Sequence, residues 1–201
     1  MEKDAGSKTE LKKKKKKHSL MDAAFELFTE QGFGNTSISD IVERAKVAKG
    51  TFYLYFKDKY DLRTIITMHK AEQVFLKAWE EAGIKKDMEF EDVVLELSSS
   101  IIDILAKDKT LTFFLVKNLS FGVFQREDKN REGLDFHAMV HEILEHSQKK
   151  YRDPEILLFL LFEFLGSASY SSVIEGVPVP ITELKPHLLD TLKGILKMYE
   201  C

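Results

Sequence analysis

Apolar residues recur every three or four positions along most of this 201-residue chain, a spacing that predicts helices. No segment alternates apolar and polar residues convincingly enough to predict a strand. In the last two-thirds of the chain the spacing predicts six helices, at about 59–81, 90–105, 111–124, 134–147, 154–175 and 182–198. Asp153 followed by Pro154 is a strong start signal for the fifth of these helices. With three helices upstream, the predicted fold class is all-α with about nine helices.

Two short helical patterns between residues 37 and 56 differ from the others, because the second is too small to be a core element. Ser37 is a good N-cap for the first, and Asp40 at its third position completes a weak capping box. The second helix is predicted from about Lys49 to Tyr55 and buries Phe52 and Phe56. A short helix that presents lysine, threonine, tyrosine and an unobstructed glycine suits insertion into a DNA major groove.

Residues 20–62 closely resemble the DNA-binding domain of the TetR family of bacterial transcription regulators. The similarity is carried by Leu20–Phe28, Gln31–Phe33, Thr36–Ile38, Ile41, Ala45, Gly50–Phe56, Lys59 and Leu62. The resemblance implies a three-helix helix-turn-helix domain at 18–64, preceded by a basic arm at 1–17 and followed by a ligand-binding and dimerisation bundle at 65–201. We expect DNA contacts from Lys17, Thr36, Ser37, Lys46, Lys49, Gly50, Thr51, Tyr53, Tyr55 and Lys59.

Two residues depart from the family pattern. Lys46 lies in the turn where the family often has glycine, and a positive φ there would cost lysine about 1 kcal/mol. The turn is therefore expected to differ locally. Ala48 stands where serine or threonine often caps the recognition helix, which removes a cap worth about 1 kcal/mol.

Composition and charge agree with an intracellular DNA-binding protein. The single cysteine, Cys201, excludes an intramolecular disulfide and suits a reducing cytoplasm. The longest apolar run, residues 156–165, is about half a membrane span, and no signal peptide is recognisable. Residues 1–64 carry 14 basic and 10 acidic residues, whereas the remainder carries 16 and 23. This asymmetry is typical of a DNA-binding module joined to a body that does not touch DNA.

Six consecutive lysines, Lys12–Lys17, form the most basic segment of the chain. Their mutual repulsion predicts a frayed or disordered arm in the absence of a polyanion. The segment is either a solvated tail or an arm that lies along DNA phosphates and adds affinity without sequence information. The neighbouring DNA-binding helices favour the second interpretation slightly, with Lys17 the best placed for a fixed phosphate contact.

The second half of the chain is rich in phenylalanine, which indicates either ordinary core packing or a cavity for an apolar or aromatic small molecule. Glu163 is either paired, placed at the edge of the bundle, or a carboxylate that holds a ligand inside the cavity. The resemblance implies a ligand-binding domain here. The candidate ligand residues are Phe113, Phe114, Phe121, Phe159, Phe162 and Glu163.

The helix that starts at Pro154 is apolar nearly all round and then becomes small-residue-rich, which predicts burial against a partner subunit. The resemblance implies a two-fold dimer built from the last two helices. The candidate interface residues are Gly166, Ser167, Ala168, Tyr170, Leu188, Leu192 and Ile195.

No catalytic motif is recognisable, and no enzymatic activity or cofactor is expected. His137, His141 and Glu145 share a helical face at metal-ligand spacing, but nothing else converges on them, so no metal is predicted. The leading hypothesis is a dimeric repressor that a small apolar or aromatic ligand releases from a near-palindromic operator. The alternative is a DNA-binding adaptor of the same fold that answers to a protein partner instead.

Overall fold

The computed structural model describes residues 2–85, 87–124 and 136–201, and no strand occurs within these ranges. The predicted all-α class is confirmed. The helices are α1 Glu2–Glu30, α2 Ile38–Arg44, α3 Lys49–Tyr53, α4 Lys59–Ala82, α5 Phe90–Lys107, α6 Lys109–Asn118, α7 Phe121–Phe124, α8 Phe136–His146, α9 Pro154–Tyr170 and α10 Ile181–Tyr199. The chain divides into two compact units, residues 1–67 and 68–201, and α4 runs from the first into the second.

The lysine run is part of α1, which starts at Glu2, so the expectation that Lys12–Lys17 are frayed is wrong in this structure. Lysine is a good helix former, and this intrinsic preference opposes the repulsion between neighbouring ammonium groups. Lys12 to Lys16 are exposed, and Lys17 is half-buried. Their directions are therefore fixed by the helix.

The first unit is a three-helix domain whose short helices are held by a few fully buried side chains. Leu20 of α1, Ile41 of α2 and Phe52 of α3 are each completely inaccessible to solvent. Phe56 follows α3 and packs on Phe52, with ring centroids 5.5 Å apart. Because α3 has only five residues, this anchoring, and not helix length, must hold it in place.

The second unit has an apolar core shared by α5, α8, α9 and α10. Its buried members are Phe90, Leu144, Tyr151, Leu157, Leu161, Leu192 and Leu196. A smaller cluster joins the end of α4 to α5 and α6. The predicted helix at 111–124 is divided into α6 and α7, because Leu119 between them has an extended backbone.

Helix α9 continues through a π-helical turn at Ser171–Glu175, and the resulting segment is the most apolar in the structure. The most apolar 18-residue stretch within Pro154–Glu175 has a mean hydropathy of 1.6, and 28% of that stretch is buried. By length and composition alone this helix is long and apolar enough to cross a membrane, although its apolar run at residues 156–165 is only about half a span. The same properties are those of a helix whose exposed apolar side is covered by another protein.

Candidate DNA interface

Helix α3 presents an exposed edge made of a lysine, a glycine, a tyrosine and a leucine. Lys49 and Gly50 are exposed at its start, while Tyr53 is 56% and Leu54 78% exposed at its end. Thr51 is half-buried between them. The burial of Phe52 turns the other side chains of this short helix outward, as the sequence predicts. The arrangement suits insertion into a major groove, where side chains and a bare backbone meet base edges.

Gly50 is not required by the packing of the protein itself. A Cβ atom built on Gly50 would have no atom within 4 Å outside its local backbone, and its φ is not positive. The empty space is therefore available to a close-approaching partner.

The turn between α2 and α3 adopts the left-handed conformation at Lys46, with φ 55°. Lys46 therefore adopts the positive φ that was expected to be unfavourable for lysine. The Lys46 side chain is exposed. Ala48 precedes α3 without any side-chain hydrogen bond, in agreement with the missing cap.

The capping box predicted at the start of α2 is confirmed. The Ser37 hydroxyl accepts a hydrogen bond from the Asp40 backbone N–H at 3.1 Å, and the Ser37 N–H donates to Asp40 Oδ2 at 2.7 Å. These contacts, first the bond from the Ser37 backbone, hold the pKa of Asp40 below its ordinary value. Ser37 remains exposed, so a contact with a phosphate stays a prediction.

Thr36 and Lys59 have structural roles in the domain. The burial of Thr36 corrects the prediction that its side chain contacts DNA, whereas the phosphate contact of Lys59 stays a prediction. Thr36 is 1% exposed, and its hydroxyl donates to the carbonyl of Gly32 at 2.9 Å. Lys59 Nζ donates to the carbonyls of Phe33 and Thr36, both at 2.7 Å. Both side chains therefore donate hydrogen bonds to carbonyl groups of the α1–α2 loop.

A second cationic residue, Arg63, stacks on the ring of Phe33, whose carbonyl binds Lys59. This contact was not predicted from the sequence. The Arg63 guanidinium lies 4.3 Å from the ring centroid of Phe33 and 5.5 Å from that of Tyr60. The two rings meet edge to face with centroids 5.0 Å apart. The spacing of Tyr60 and Arg63, three residues apart at the start of a helix, is the signal that could have indicated this stack.

The remaining predicted DNA contacts are spread over the first unit. Tyr55 is half-buried, with its ring packed on Phe56 at a centroid distance of 6.2 Å. Lys17 is half-buried on α1. Lys49 Nζ lies 3.4 Å from the Ser39 hydroxyl and is otherwise exposed. Leu54, the most exposed large apolar residue of the domain, was not predicted as a surface residue.

The six candidate ligand residues of the second unit separate into different environments. Phe121 contacts Phe159 and Phe162 at centroid distances of 5.4 and 5.8 Å. Phe113 pairs instead with Tyr170, at 6.3 Å. Phe114 is one of the buried residues of α6. Glu163 is exposed, which corrects the hypothesis that it is a carboxylate inside a cavity.

The predicted dimer residues also differ from one another in how far they are buried within one chain. Leu188 and Leu192 are 3% and 0% exposed inside a single chain, so their assignment to the interface is wrong. Ile195 packs against the same core. Gly166 and Ala168 are half-buried, Tyr170 is half-buried and Ser167 is exposed on α9. The apolar residues of α10 lie towards α5 within the same chain. The sequence alone does not reveal whether they pack inside the chain or against a partner.

The histidine face of α8 is used in a contact within the chain. His141 Nε2 lies 2.6 Å from Glu155 Oε1 at the start of α9. His137, the other histidine considered as a metal ligand, lies outside the residues whose side chains the structure describes. Glu145 is exposed.

A capped helix, a tight turn and a short exposed second helix define the first unit as a helix-turn-helix DNA-binding domain. Residues 20–64 match the family profile described as "Bacterial regulatory proteins, tetR family". The chain belongs to the TetR family of transcriptional regulators. The proteins that it resembles are regulators and not enzymes, as predicted.

Relatives with known names extend this comparison. The fatty acid metabolism regulator protein of Bacillus subtilis is 30% identical over 135 residues, which are 67% of this chain and 63% of that protein. The regulator AcrR of Shigella flexneri is 38% identical over 55 residues, 27% of this chain and 26% of its own. The alignments thus span less than two-thirds of the length of these relatives.

Solved structures share the fold. The regulator FadR of Bacillus subtilis, solved in complex with stearoyl-CoA, superposes with a TM-score of 0.59 at 20% identity, covering 87% of this chain and 96% of that one. A TetR-family regulator of Haemophilus influenzae gives a TM-score of 0.63 at 17% identity, covering 92% and 97%. At these identities the superpositions establish the fold alone.

Proposed function

We propose that this protein is a dimeric, cytoplasmic transcriptional repressor that binds a near-palindromic operator and is released by a long-chain acyl-coenzyme A. The observation that carries the ligand class is the similarity to the fatty acid metabolism regulator. It covers 135 residues, whereas the first unit contains only residues 1–67. About half of the aligned residues therefore lie in the body, the part of the chain in which a ligand is expected.

The side chains of the body are compatible with an apolar ligand. Phe121, Phe159 and Phe162 form an aromatic group between α7 and α9. An acyl chain is an apolar ligand of the kind predicted from the sequence, and each Å² of its surface that is buried contributes about 25 cal/mol. We infer that the acyl chain packs near this aromatic group, with Glu163 outside the site.

A dimer would cover the exposed apolar residues of α9. Ile156 and Phe159 are 52% and 43% exposed. On α10, His187, Thr191, Gly194 and Met198 are exposed and follow one helical face, opposite the leucines buried against α5. We propose that these two faces pair with those of a second copy. A two-fold dimer presents two recognition helices, which requires a near-palindromic site.

The two units are connected by α4, which begins at Lys59 in the first and ends at Ala82 in the second. We propose that the ligand favours a body conformation in which the recognition helices of a dimer no longer match two half-sites. To change occupancy from nearly full to nearly empty, it must favour the released state by about 10⁴-fold, or about 5.5 kcal/mol.

The test begins with selection of a preferred duplex from random DNA by the purified protein. Stearoyl-CoA is then titrated onto the protein–duplex complex, with free coenzyme A and acetyl-CoA as controls. Release by stearoyl-CoA alone is the expected result. Selection without any sequence enrichment would contradict the operator. Enrichment without release by any thioester would instead favour the adaptor that answers to a protein partner.

A further inference from the structure

The lysines of α1 point in fixed directions, because the helix continues through the whole run. Successive residues of an α-helix are rotated by about 100°, so six consecutive lysines surround the helix axis. A single DNA backbone can meet only some of them. The question is which lysines share a face with the DNA-binding elements.

One hydrogen bond fixes that face. The Ser19 hydroxyl donates to the carbonyl of Ala45 at 3.3 Å, the residue immediately before Lys46 in the turn that leads to α3. Residues spaced by three or four along a helix share a face, so Lys15 and Lys16 project from the same side as Ser19, and Lys12 lies one turn before them on that side. Ala23, the next member of this series, is buried in the domain. Lys12 and Lys16 therefore extend the side of α1 that faces the turn.

The other exposed lysines are placed differently. Lys13 is rotated by about 80° and Lys14 by about 180° from the centre of the Lys12–Lys16 face. Lys14 therefore lies on the side of α1 opposite to Lys12 and Lys16. Lys14 and Lys15 line an open groove of about 460 Å³, whose other lining residues include Ser19, Asp22, Glu26 and Arg44.

Geometry and charge on the Lys12–Lys16 side match a DNA backbone. Four residues of helix rise about 6 Å, close to the axial distance of about 7 Å over two phosphate steps of one strand. Like charges at this spacing repel each other in the free protein, and phosphates would relieve that repulsion. Lys46, exposed in the turn, adds a third cation towards α3.

We propose that Lys12 and Lys16 form, with Lys46, a phosphate-binding face of α1 that contacts the DNA backbone beside the half-site read by α3. Lys13 and Lys14 do not take part. The inference rests on the proposed DNA-binding function, but it concerns a contact that does not depend on base sequence.

The test compares two double variants with the same charge change, Lys12→Gln with Lys16→Gln and Lys13→Gln with Lys14→Gln. All four lysines are exposed, and glutamine has a helix propensity close to that of lysine, so neither variant should unfold α1. Affinity for a random-sequence 40-base-pair duplex is measured over a range of salt concentrations. Circular dichroism checks that the helix content of both variants equals that of the unmodified protein.

The first pair should reduce the steepness of the salt dependence by about two, since each phosphate contact contributes about 0.9 to the slope. The second pair should leave the slope nearly unchanged. Equal losses in the two variants would indicate an arm without fixed direction, and no loss in either would indicate a solvated tail. Either result would overturn the proposal. Because random DNA is the probe, these outcomes are independent of whether a specific operator or ligand is found.

Discussion

Helices α3 and α9 differ in how much of their apolar surface is buried within one chain. Helix α3 has five residues, and its phenylalanine, Phe52, is completely buried within one chain. Helix α9 has 17 residues, but only Leu157, Leu161 and Ser169 are buried, while Ile156 and Phe159 remain exposed. The DNA-binding unit is therefore complete as a folded domain, whereas the body has an apolar surface that a second copy would cover.

The largest expected effect concerns the proposed dimer. Gly194 on the outer face of α10 has open space around it, so Gly194→Arg fits within one chain but places a charge at the interface. We expect the dimer dissociation constant to rise more than a hundredfold, as about 3 kcal/mol of desolvation cost would produce. Sedimentation equilibrium measures this constant. Gly34→Arg, at another open glycine in the first unit, is the control, and an unchanged dimer in Gly194→Arg would move the interface elsewhere.

The next effect concerns the loop that leads into α2. Lys59→Met would leave the carbonyls of Phe33 and Thr36 without the ammonium group that binds both. We expect the free energy of unfolding of the first unit to fall by about 2 kcal/mol, the range for hydrogen bonds to a charged group. Urea denaturation measures it. Lys57→Met, at an exposed neighbouring lysine, should change stability by less than about 0.5 kcal/mol.

Substitution of Gly50 is expected to change stability and DNA affinity in opposite directions. Gly50→Ala adds a methyl group into open space on a helix, so stability should rise by up to about 1 kcal/mol. If DNA approaches the backbone closely, affinity for the selected duplex should fall by about tenfold. Fluorescence anisotropy measures the affinity, with Gly194→Ala as the control for a helical glycine away from α3. Unchanged affinity in Gly50→Ala would remove this residue from the interface.

The smallest effect is a pH dependence in the body. A hydrogen bond from Lys149 Nζ at 2.7 Å lowers the pKa of Glu91 from its ordinary 4.5. A carboxylate with a depressed folded pKa contributes stability above pH 4.5, and this contribution is lost as pH falls through the folded value. Melting temperatures of the unmodified protein and Glu91→Gln should therefore differ at pH 7 and converge in acid. Glu96→Gln, at an exposed position, serves as the control, and a constant difference down to acid pH would reject this linkage.

The comparison of α3 with α9 also indicates which features the sequence could predict. The capping box of Ser37 and Asp40 and the burial of Phe52 depend on neighbours a few residues away, and both were predicted correctly. The partners of Lys59 lie 23 and 26 residues upstream, so no local pattern identifies them.

In the body, the inward face of an apolar helix depends on packing that the spacing of its own residues does not reveal. Leu188 and Leu192 have the helical spacing of an interface, but they are buried inside one chain. The lysine run illustrates a different difficulty. Repulsion and helix propensity act on the same residues in opposite directions, and the sequence alone did not indicate which of them would prevail.

The most direct test of the proposed function is the reciprocity between ligand and DNA. If stearoyl-CoA releases the operator through a change of conformation, the operator must weaken binding of stearoyl-CoA by the same factor. Isothermal titration of stearoyl-CoA into the protein, with and without the selected duplex, measures both affinities in one experiment. We predict an affinity that is lower by several orders of magnitude in the presence of the duplex. Equal affinities in the two titrations would contradict the proposed mechanism.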